Sequence, residues 1–169
     1  MISDDDLRHL RRCLELAEEA LAAGDEPFGS VLVGADGTVL AEGRNEVASG
    51  DATRHPELEL ARWAAGNLPP EARAVATVYT SGEHCPMCAA AHGWVGLGRI
   101  VYAASSAQLS RWRAEWGAPP PPVAALPITE VVPGALVDGP AEALTDEVRD
   151  LHRRHHARSA GSGSVGERT

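Results

Sequence analysis

The segment TSGEHCPMC, residues 80–88, carries two cysteines three positions apart, Cys85 and Cys88. Both fall at the start of a helix that is predicted over Pro86–Val95. Their sulfurs then lie on one face of the first helical turn, where partial positive charge lowers the pKa of a thiol. The spacing therefore predicts that both cysteines can be thiolates that hold a metal ion.

An upstream segment, His55-Pro56-Glu57, also begins a predicted helix, with Pro56 in a first-turn position where its missing N–H costs little. His55 can add a neutral imidazole to the two thiolates, and one nitrogen with two sulfurs favours zinc. Because the two helix N-termini would converge, these side chains are predicted to form one site.

The number of ligands separates a catalytic zinc from a structural one. The chain offers three natural ligands and no second Cys-x-x-Cys, whereas a structural zinc is normally closed by four protein ligands. His84 and His92 are poorer candidates, because His84 adjoins Cys85 and His92 lies one helical turn beyond Cys88. We therefore expect one zinc per chain with a position open for water, and Glu57 close enough to move protons of that water.

Together these motifs resemble the signature of the zinc-dependent cytidine and nucleobase deaminase superfamily, H-x-E followed by P-C-x-x-C. The resemblance implies that His55, Cys85 and Cys88 hold the zinc, while Glu57 moves protons between the zinc-bound water and the substrate. It covers about residues 5–105, in the order of the guanine deaminase and tRNA adenosine deaminase branch, through the segments Pro27–Val33, Gly43–Asn45, Thr80–Glu83, Cys85–Cys88 and Arg99–Tyr102.

The resemblance also implies substrate-binding residues. Asn45 stands where the family has an asparagine that hydrogen-bonds the substrate ring, and Phe28 stands where a side chain packs on that ring. Asn45 could instead shape a turn, and Phe28 could belong to the core. Glu83, His84 and Trp112 complete the predicted set, with a loop-surface role as the alternative for His84 and core packing as the alternative for Trp112.

The sequence departs from the branch at several positions. His84 replaces the usual proline before the first cysteine and Pro56 replaces the usual alanine of H-x-E, but neither change removes a ligand. Glu59 is either a second acid in the pocket or a partner in an ion pair. After Tyr102, the acidic motif of guanine deaminases is replaced by Arg111–Trp116, so the substrate need not be guanine.

Hydrophobic periodicity predicts an α/β fold, a three-layer α/β/α sandwich with a mixed central sheet. A helix with Ser3 as N-cap is expected over Asp4–Ala23, with Cys13 on its buried face. Since strands and helices alternate, part of the sheet should be parallel. The further predicted elements are a hairpin of Phe28–Val33 and Thr38–Gly43, a helix within Asp51–Ala65, strands at Ala74–Thr80, Arg99–Ala103 and Thr129–Val132, helical turns at Ser110–Trp116, and a last helix over Pro140–His156.

One deaminase domain is predicted over residues 1–156, followed by a disordered tail rich in Gly and Ser over residues 157–169. His152, His155 and His156 could suggest a second metal site, although cations near a helix C-terminus are stabilised by its dipole without any metal. No apolar run approaches the roughly 18 residues of a membrane span.

The negative net charge limits the classes of partner that are expected to bind. With 15 Lys and Arg against 24 Asp and Glu, the formal net charge is −9, so neither nucleic acid nor a membrane is an expected partner. The acidic N-terminus does not resemble a secretory signal, and a cytoplasmic location is expected.

The expected activity is hydrolytic deamination of a small guanine-, isocytosine-, cytosine- or aminotriazine-like base by a homodimer, since relatives are commonly dimers. Two alternatives stay open. The first is a tRNA adenosine deaminase, which the net charge disfavours. The second is a non-catalytic, zinc-stabilised binding module, which Glu57 disfavours because a structural zinc has no use for a nearby unliganded acid.

Overall fold

The computed structural model describes residues 1–162 of the chain. Seven α-helices and five strands are present in this part, together with two short 3₁₀ turns at Val47–Ser49 and Glu142–Leu144. In chain order they are α1 (Asp4–Ala23), β1 (Gly29–Val33), β2 (Val39–Arg44), α2 (Pro56–Asn67), α3 (Pro70–Val75), β3 (Thr77–Gly82), α4 (Pro86–Val95), β4 (Ile100–Ala104), α5 (Ser106–Glu115), α6 (Ile128–Val131), β5 (Val137–Asp138) and α7 (Thr145–Ser162).

The five strands form one mixed sheet in the order β2-β1-β3-β4-β5. Strand β1 is antiparallel to both of its neighbours, whereas β3, β4 and β5 are mutually parallel. The predicted hairpin and the predicted parallel pairing are therefore both confirmed. Within the β1–β3 pair, Ser30 stands opposite Thr80, which places two hydroxyl side chains side by side.

Helices cover both faces of the sheet, which confirms the three-layer arrangement. On one face, α1 and α7 pack on the sheet through side chains such as Leu10, Val101 and Val148, and Cys13 is fully buried there as expected. On the other face, α2 packs through Leu60 against the sheet. The parallel strands β3 and β4 end at the same edge of the sheet, and the loop after β3 leads directly into the segment that carries the two cysteines.

Two of the predicted strands need correction. The predicted strand Thr129–Val132 is wrong, because Ile128–Val131 is a short helix that begins after Pro127 and buries Ile128. The strand at this end of the sheet is Val137–Asp138, too short to leave a periodic pattern in the sequence. The predicted strand Ala74–Thr80 begins later, at Thr77, because helix α3 begins at Pro70 and continues to Val75.

Helices α5 and α7 also differ from their predicted bounds. Helix α5 begins at Ser106 rather than Ser110, since Ser105 and Gln108 form a capping box there. Helix α7 begins at Thr145 and continues to Ser162, so residues 157–162 are helical rather than a disordered tail. Arg158 explains part of this extension, because its guanidinium donates to the carbonyl oxygen of Leu21 at 2.7 Å. The remainder of the predicted tail, residues 163–169, lies outside the described residues.

Across residues 1–162, no helix combines the length and the apolar character needed to cross a membrane.

Candidate active site

Two helix N-termini hold the predicted metal ligands. His55 is the N-cap of α2 and Cys85 is the N-cap of α4, with Cys88 in the first turn of the same helix. The Sγ atoms of the two cysteines are 3.6 Å apart, and Nδ1 of His55 lies 3.6 Å from Sγ of Cys85 and 3.7 Å from Sγ of Cys88. The three side chains form the single group of potential metal ligands found within residues 1–162.

These distances fit a tetrahedral zinc ion. With Zn–S near 2.3 Å and Zn–N near 2.0–2.1 Å, the edges of a tetrahedron are about 3.8 Å between two sulfurs and about 3.6 Å between sulfur and nitrogen. The three measured distances of 3.6, 3.6 and 3.7 Å match those edges closely. The donor set therefore fits zinc, and the described part of the chain brings three potential ligands together.

The pKa of Cys85 is shifted in the direction that suits a metal ligand. Hydrogen bonds from Cys88 and His55 lower the pKa of Cys85 to about 4. Within this pair Cys88 is the donor, so its own pKa is raised. The contact with Cys85 raises the pKa of His55. The hydrogen bonds from Cys88 and His55 thus favour the thiolate form of Cys85.

Glu57, in the first turn of α2, lies buried beside these ligands with 6% of its surface exposed. Its Oε1 accepts hydrogen bonds from Oγ1 of Thr80 at 2.7 Å and Oγ of Ser30 at 3.2 Å. No hydrogen bond from another described residue reaches Oε2, and this oxygen is not fully enclosed. Burial raises the pKa of Glu57, with the hydrogen bond from Thr80 acting against it. One oxygen is therefore fixed and the other is free to exchange a proton.

Thr80 and Ser30 are functional residues that sequence reasoning missed. Each is fully buried on a strand, where a polar side chain must find a partner. The signal that could have found them is a serine and a threonine within otherwise apolar strands, both facing the start of the helix that carries Glu57.

Asn45 follows strand β2 and is fully buried. Its Oδ1 accepts from the backbone N–H of Val47 at 3.1 Å, so the side chain does shape the turn. Its Nδ2, in contrast, is enclosed without any hydrogen-bond partner among the described residues. The turn is thus the role shown for Oδ1, whereas a hydrogen bond from Nδ2 to a substrate stays a prediction.

Phe28 lies against Gly82, so closely that a Cβ at residue 82 would be 2.8 Å from Cε1 of the phenylalanine. On its other side the ring meets His152 of α7 edge-on, with 4.8 Å between ring centroids. The backbone of Phe28 accepts a hydrogen bond from the N–H of Asn45 at 3.0 Å. Phe28 is partly buried and joins the end of β3, Asn45 and α7, and its packing against a substrate ring stays a prediction.

The two residues before Cys85 have different surroundings. The carboxylate of Glu83 accepts the backbone N–H of Ser106 at 2.9 Å and of Ile128 at 3.0 Å, so its side chain ties the starts of α5 and α6 together. His84 is 1% exposed, which excludes the loop-surface alternative. Its ring meets that of His92 edge-on at 5.5 Å between centroids. A direct contact of either residue with a substrate stays a prediction.

The other candidates lie away from the metal ligands. Trp112 is 3% exposed and packs in the core with α1 and α7, so the alternative of core packing describes its position. Glu59 is exposed and pairs with Arg62 at 2.9 Å, so it is the ion-pair partner rather than a pocket acid. The second metal site that the α7 histidines could suggest is not found, since within residues 1–162 they do not form a group of three potential ligands.

Comparison with known proteins agrees with this site. Residues 3–104 match the family described as the cytidine and deoxycytidylate deaminase zinc-binding region. A probable cytosine deaminase from Schizosaccharomyces pombe is 32% identical over 122 residues, which are 71% of this chain and 73% of that protein. A tRNA-specific adenosine deaminase from Haemophilus influenzae is 36% identical over 104 residues, 61% of this chain and 60% of that protein.

Guanine deaminase from Bacillus subtilis is 41% identical over 97 residues, which are 56% of this chain and 62% of that protein. A solved structure of guanine deaminase from the same organism superposes with a TM-score of 0.54 at 30% identity, and the match covers 75% of this chain and 88% of that one.

Proposed function

Because the chain belongs to the cytidine and deoxycytidylate deaminase family, we propose that it removes the exocyclic amino group of a small heterocyclic base by hydrolysis. The reaction consumes one water, replaces the C–NH₂ of the ring by C=O and releases ammonia. The observation that carries the proposal is Glu57, a buried acid with one free oxygen beside a site of only three metal ligands. A structural zinc would use four ligands and would have no need of the acid.

His55, Cys85 and Cys88 would hold a zinc ion, which would supply a water whose pKa is lowered to about 7. Glu57 takes a proton at its free Oε2 and returns protons to a ring nitrogen and to the departing amine. Thr80 and Ser30 hold Oε1, so the carboxyl group keeps its direction through both transfers.

Asn45 and Phe28 hold the substrate ring in place. The unpartnered Nδ2 of Asn45 donates to an acceptor on the substrate, which removes the cost of an enclosed and unsatisfied amide. Phe28 provides a flat apolar surface for the ring. A small neutral base needs only this stacking and a few hydrogen bonds, whereas a net charge of −9 opposes the approach of a polyanion.

The second candidate function is deamination of adenosine in tRNA, which the similarity to the H. influenzae enzyme favours. The two functions are separated by one assay of ammonia release with zinc-loaded protein. The panel contains cytosine, isocytosine, guanine, an aminotriazine, the corresponding nucleosides and a tRNA anticodon stem-loop, and Cys88→Ala serves as the control without a complete metal site. We expect turnover of at least one free base and none of the stem-loop. Turnover of the stem-loop alone would replace this proposal by the tRNA-editing function, and no ammonia from any compound would reject both.

A further inference from the structure

Arg113, near the end of α5, is partly buried but has no acidic partner within 4.0 Å among residues 1–162. Its Nε is enclosed without a hydrogen bond, and its Nη2 reaches only the carbonyl oxygen of Pro119, at 3.5 Å. A guanidinium removed from water without a counter-charge is unfavourable, so an arginine in this state is suited to an anion that arrives from outside. Most arginines of this acidic chain do pair with a carboxylate: Arg8, Arg11, Arg12, Arg44, Arg54, Arg62, Arg99, Arg149, Arg153 and Arg154.

The end of α5 lies against α7. Glu115 accepts from Arg149 at 2.9 Å, and the ring of Trp116 stacks on that of His156 with 5.9 Å between centroids. The second contact places the end of α5 beside the half of α7 that carries the histidines, and Arg113, one helical turn before Trp116, acts electrostatically on both His152 and His155.

His152 connects this corner with the metal ligands. Its ring is 7% exposed and lies edge-on to Phe28, which in turn lies against Gly82, three residues before Cys85. No hydrogen bond joins the ring nitrogens of His152 to another described residue, and the ring itself lies beside Phe28. A ring that packs on Phe28 at the metal site would therefore meet His152 at its far edge.

The groups around this edge offer donors and one fixed positive charge. Burial is the main cause that lowers the pKa of His152 to about 3, with smaller contributions from His155 and Arg113. Burial also lowers the pKa of His155, against the opposing effect of Glu26. Burial thus favours the neutral form of both histidines, and Arg113, whose Nη2 contacts the carbonyl oxygen of Pro119, is the fixed cation that acts on them.

We propose that Arg113 is a specificity-determining residue that binds an anionic substituent on the far edge of the substrate ring, next to the ring of His152. This inference rests on the proposed function, since it assumes that the ring occupies the metal site beside Phe28. The anion is either a carboxylate on the ring or the phosphate of a nucleotide.

Calorimetric binding to the zinc-loaded protein tests the proposal without any turnover, if compounds that carry no amino group are used. The first set is uracil, its 5-carboxylate, its 6-carboxylate (orotate) and uridine 5′-monophosphate, and the second set is xanthine and xanthosine 5′-monophosphate. We expect at least one anionic compound to bind at least tenfold more tightly than its neutral parent. Tighter binding of a carboxylate would identify a carboxylate on the ring as the anion. Tighter binding of a monophosphate would identify the phosphate of a nucleotide.

Variants of Arg113 and Arg111 show which residue causes the preference for anionic compounds. Arg113→Gln should abolish it, Arg113→Lys should retain part of it, and Arg111→Gln, at an exposed position on the same helix, should leave it unchanged. The proposal is wrong if no anionic compound binds more tightly than its parent in the wild-type protein. It is also wrong if Arg113→Gln weakens neutral and anionic compounds equally. Loss of ammonia release from every base, with the anion preference intact, would reject the proposed function alone.

Discussion

The hydroxyl of Thr80 lies 2.7 Å from Oε1 of Glu57 and can serve both protonation states of that acid. When Glu57 is ionised, the hydroxyl donates to Oε1. When Glu57 is protonated on Oε2, the hydroxyl can still donate to Oε1, or donate instead to the carbonyl oxygen of Gly82, 3.0 Å away. Thr80 thus offers a partner to a buried acid before and after a proton transfer.

Thr80→Val should lower kcat by roughly tenfold to a hundredfold, because a hydrogen bond to a charged group contributes about 1.5–3 kcal/mol. Zinc content should be unchanged, since Thr80 is not a ligand. The measurement is kcat and metal content of the purified variant on the best base of the panel. Thr77→Val, at the other end of β3, is the control and should retain wild-type activity. Equal kcat for both variants would contradict the role given to Thr80.

Asn45→Ala should lower kcat/KM by roughly 1–3 kcal/mol, because a ring atom of the bound substrate loses its donor. Asn45→Asp should show a similar loss, since aspartate can still accept from Val47 but cannot donate as Nδ2 does. Asn67→Ala is the matched control, because that amide contacts only the exposed end of α2. If Asn45→Asp had full activity, the turn at Val47 would be the whole role of Asn45.

Gly82→Ala should raise KM by about fivefold or more. The new Cβ would lie 2.8 Å from Cε1 of Phe28, so the ring must move, and overpacking of this kind costs about 1–3 kcal/mol. Gly66→Ala provides the contrast, because nothing lies within 4 Å of its added Cβ. That change should leave KM unaltered and stabilise α2 by about 0.5–1 kcal/mol. Steady-state kinetics and thermal unfolding of both variants distinguish these outcomes.

Asp6 ties the start of α1 to the sheet and is 4% exposed. Its Oδ1 accepts from Tyr79 at 2.8 Å and from Arg99 at 2.7 Å, and its Oδ2 accepts from the backbone of Ser3 at 2.8 Å. Burial opposes the charge, but the hydrogen bonds, that of Arg99 foremost, hold the pKa of this carboxyl well below its ordinary value of 3.8.

This pKa shift makes stability depend on pH. Because the folded pKa is depressed, the contribution of Asp6 is complete above the ordinary pKa of about 4 and is lost as the pH falls below it. Asp6→Asn should lower the free energy of unfolding at pH 7 by roughly 3 kcal/mol, and its difference from the wild type should shrink in acid. Denaturant titrations between pH 7 and pH 2 measure this. Asp5→Asn, whose side chain is 77% exposed, should change stability by less than about 1 kcal/mol, and a constant difference for Asp6→Asn at all pH values would refute the assignment.

The sequence predicted the metal ligands well for a physical reason. A metal accepts few kinds of donor atom, so the spacing of Cys85 and Cys88 restricts their geometry to one helical turn. The bounds of α1 were equally accessible, because Ser3 and Asp6 form a capping box at its start and Gly24 ends it with φ 94°.

Other features depend on contacts that are distant in sequence. The β-branched run at Thr129–Val132 favoured a strand, but the burial of Ile128 and the carboxylate of Glu83 stabilise a helical turn there. Thr80 lies in one of the segments that carry the family resemblance, but its hydrogen bond to Glu57 forms only when β3 packs beside α2. In the sequence, His152 is one of several histidines in a predicted helix. Its contact with Phe28 arises only from the packing of α7 in the fold.

The central claim is that Glu57 moves protons at a zinc site with three protein ligands. Ammonia release by zinc-loaded Glu57→Gln, with zinc quantified in the same sample, tests it most directly. Glu59→Gln is the matched control, since Glu59 is exposed and pairs with Arg62. We predict one zinc per chain in all three proteins, wild-type turnover in Glu59→Gln and almost none in Glu57→Gln. Turnover of Glu57→Gln at the wild-type rate, with zinc bound, would contradict the account.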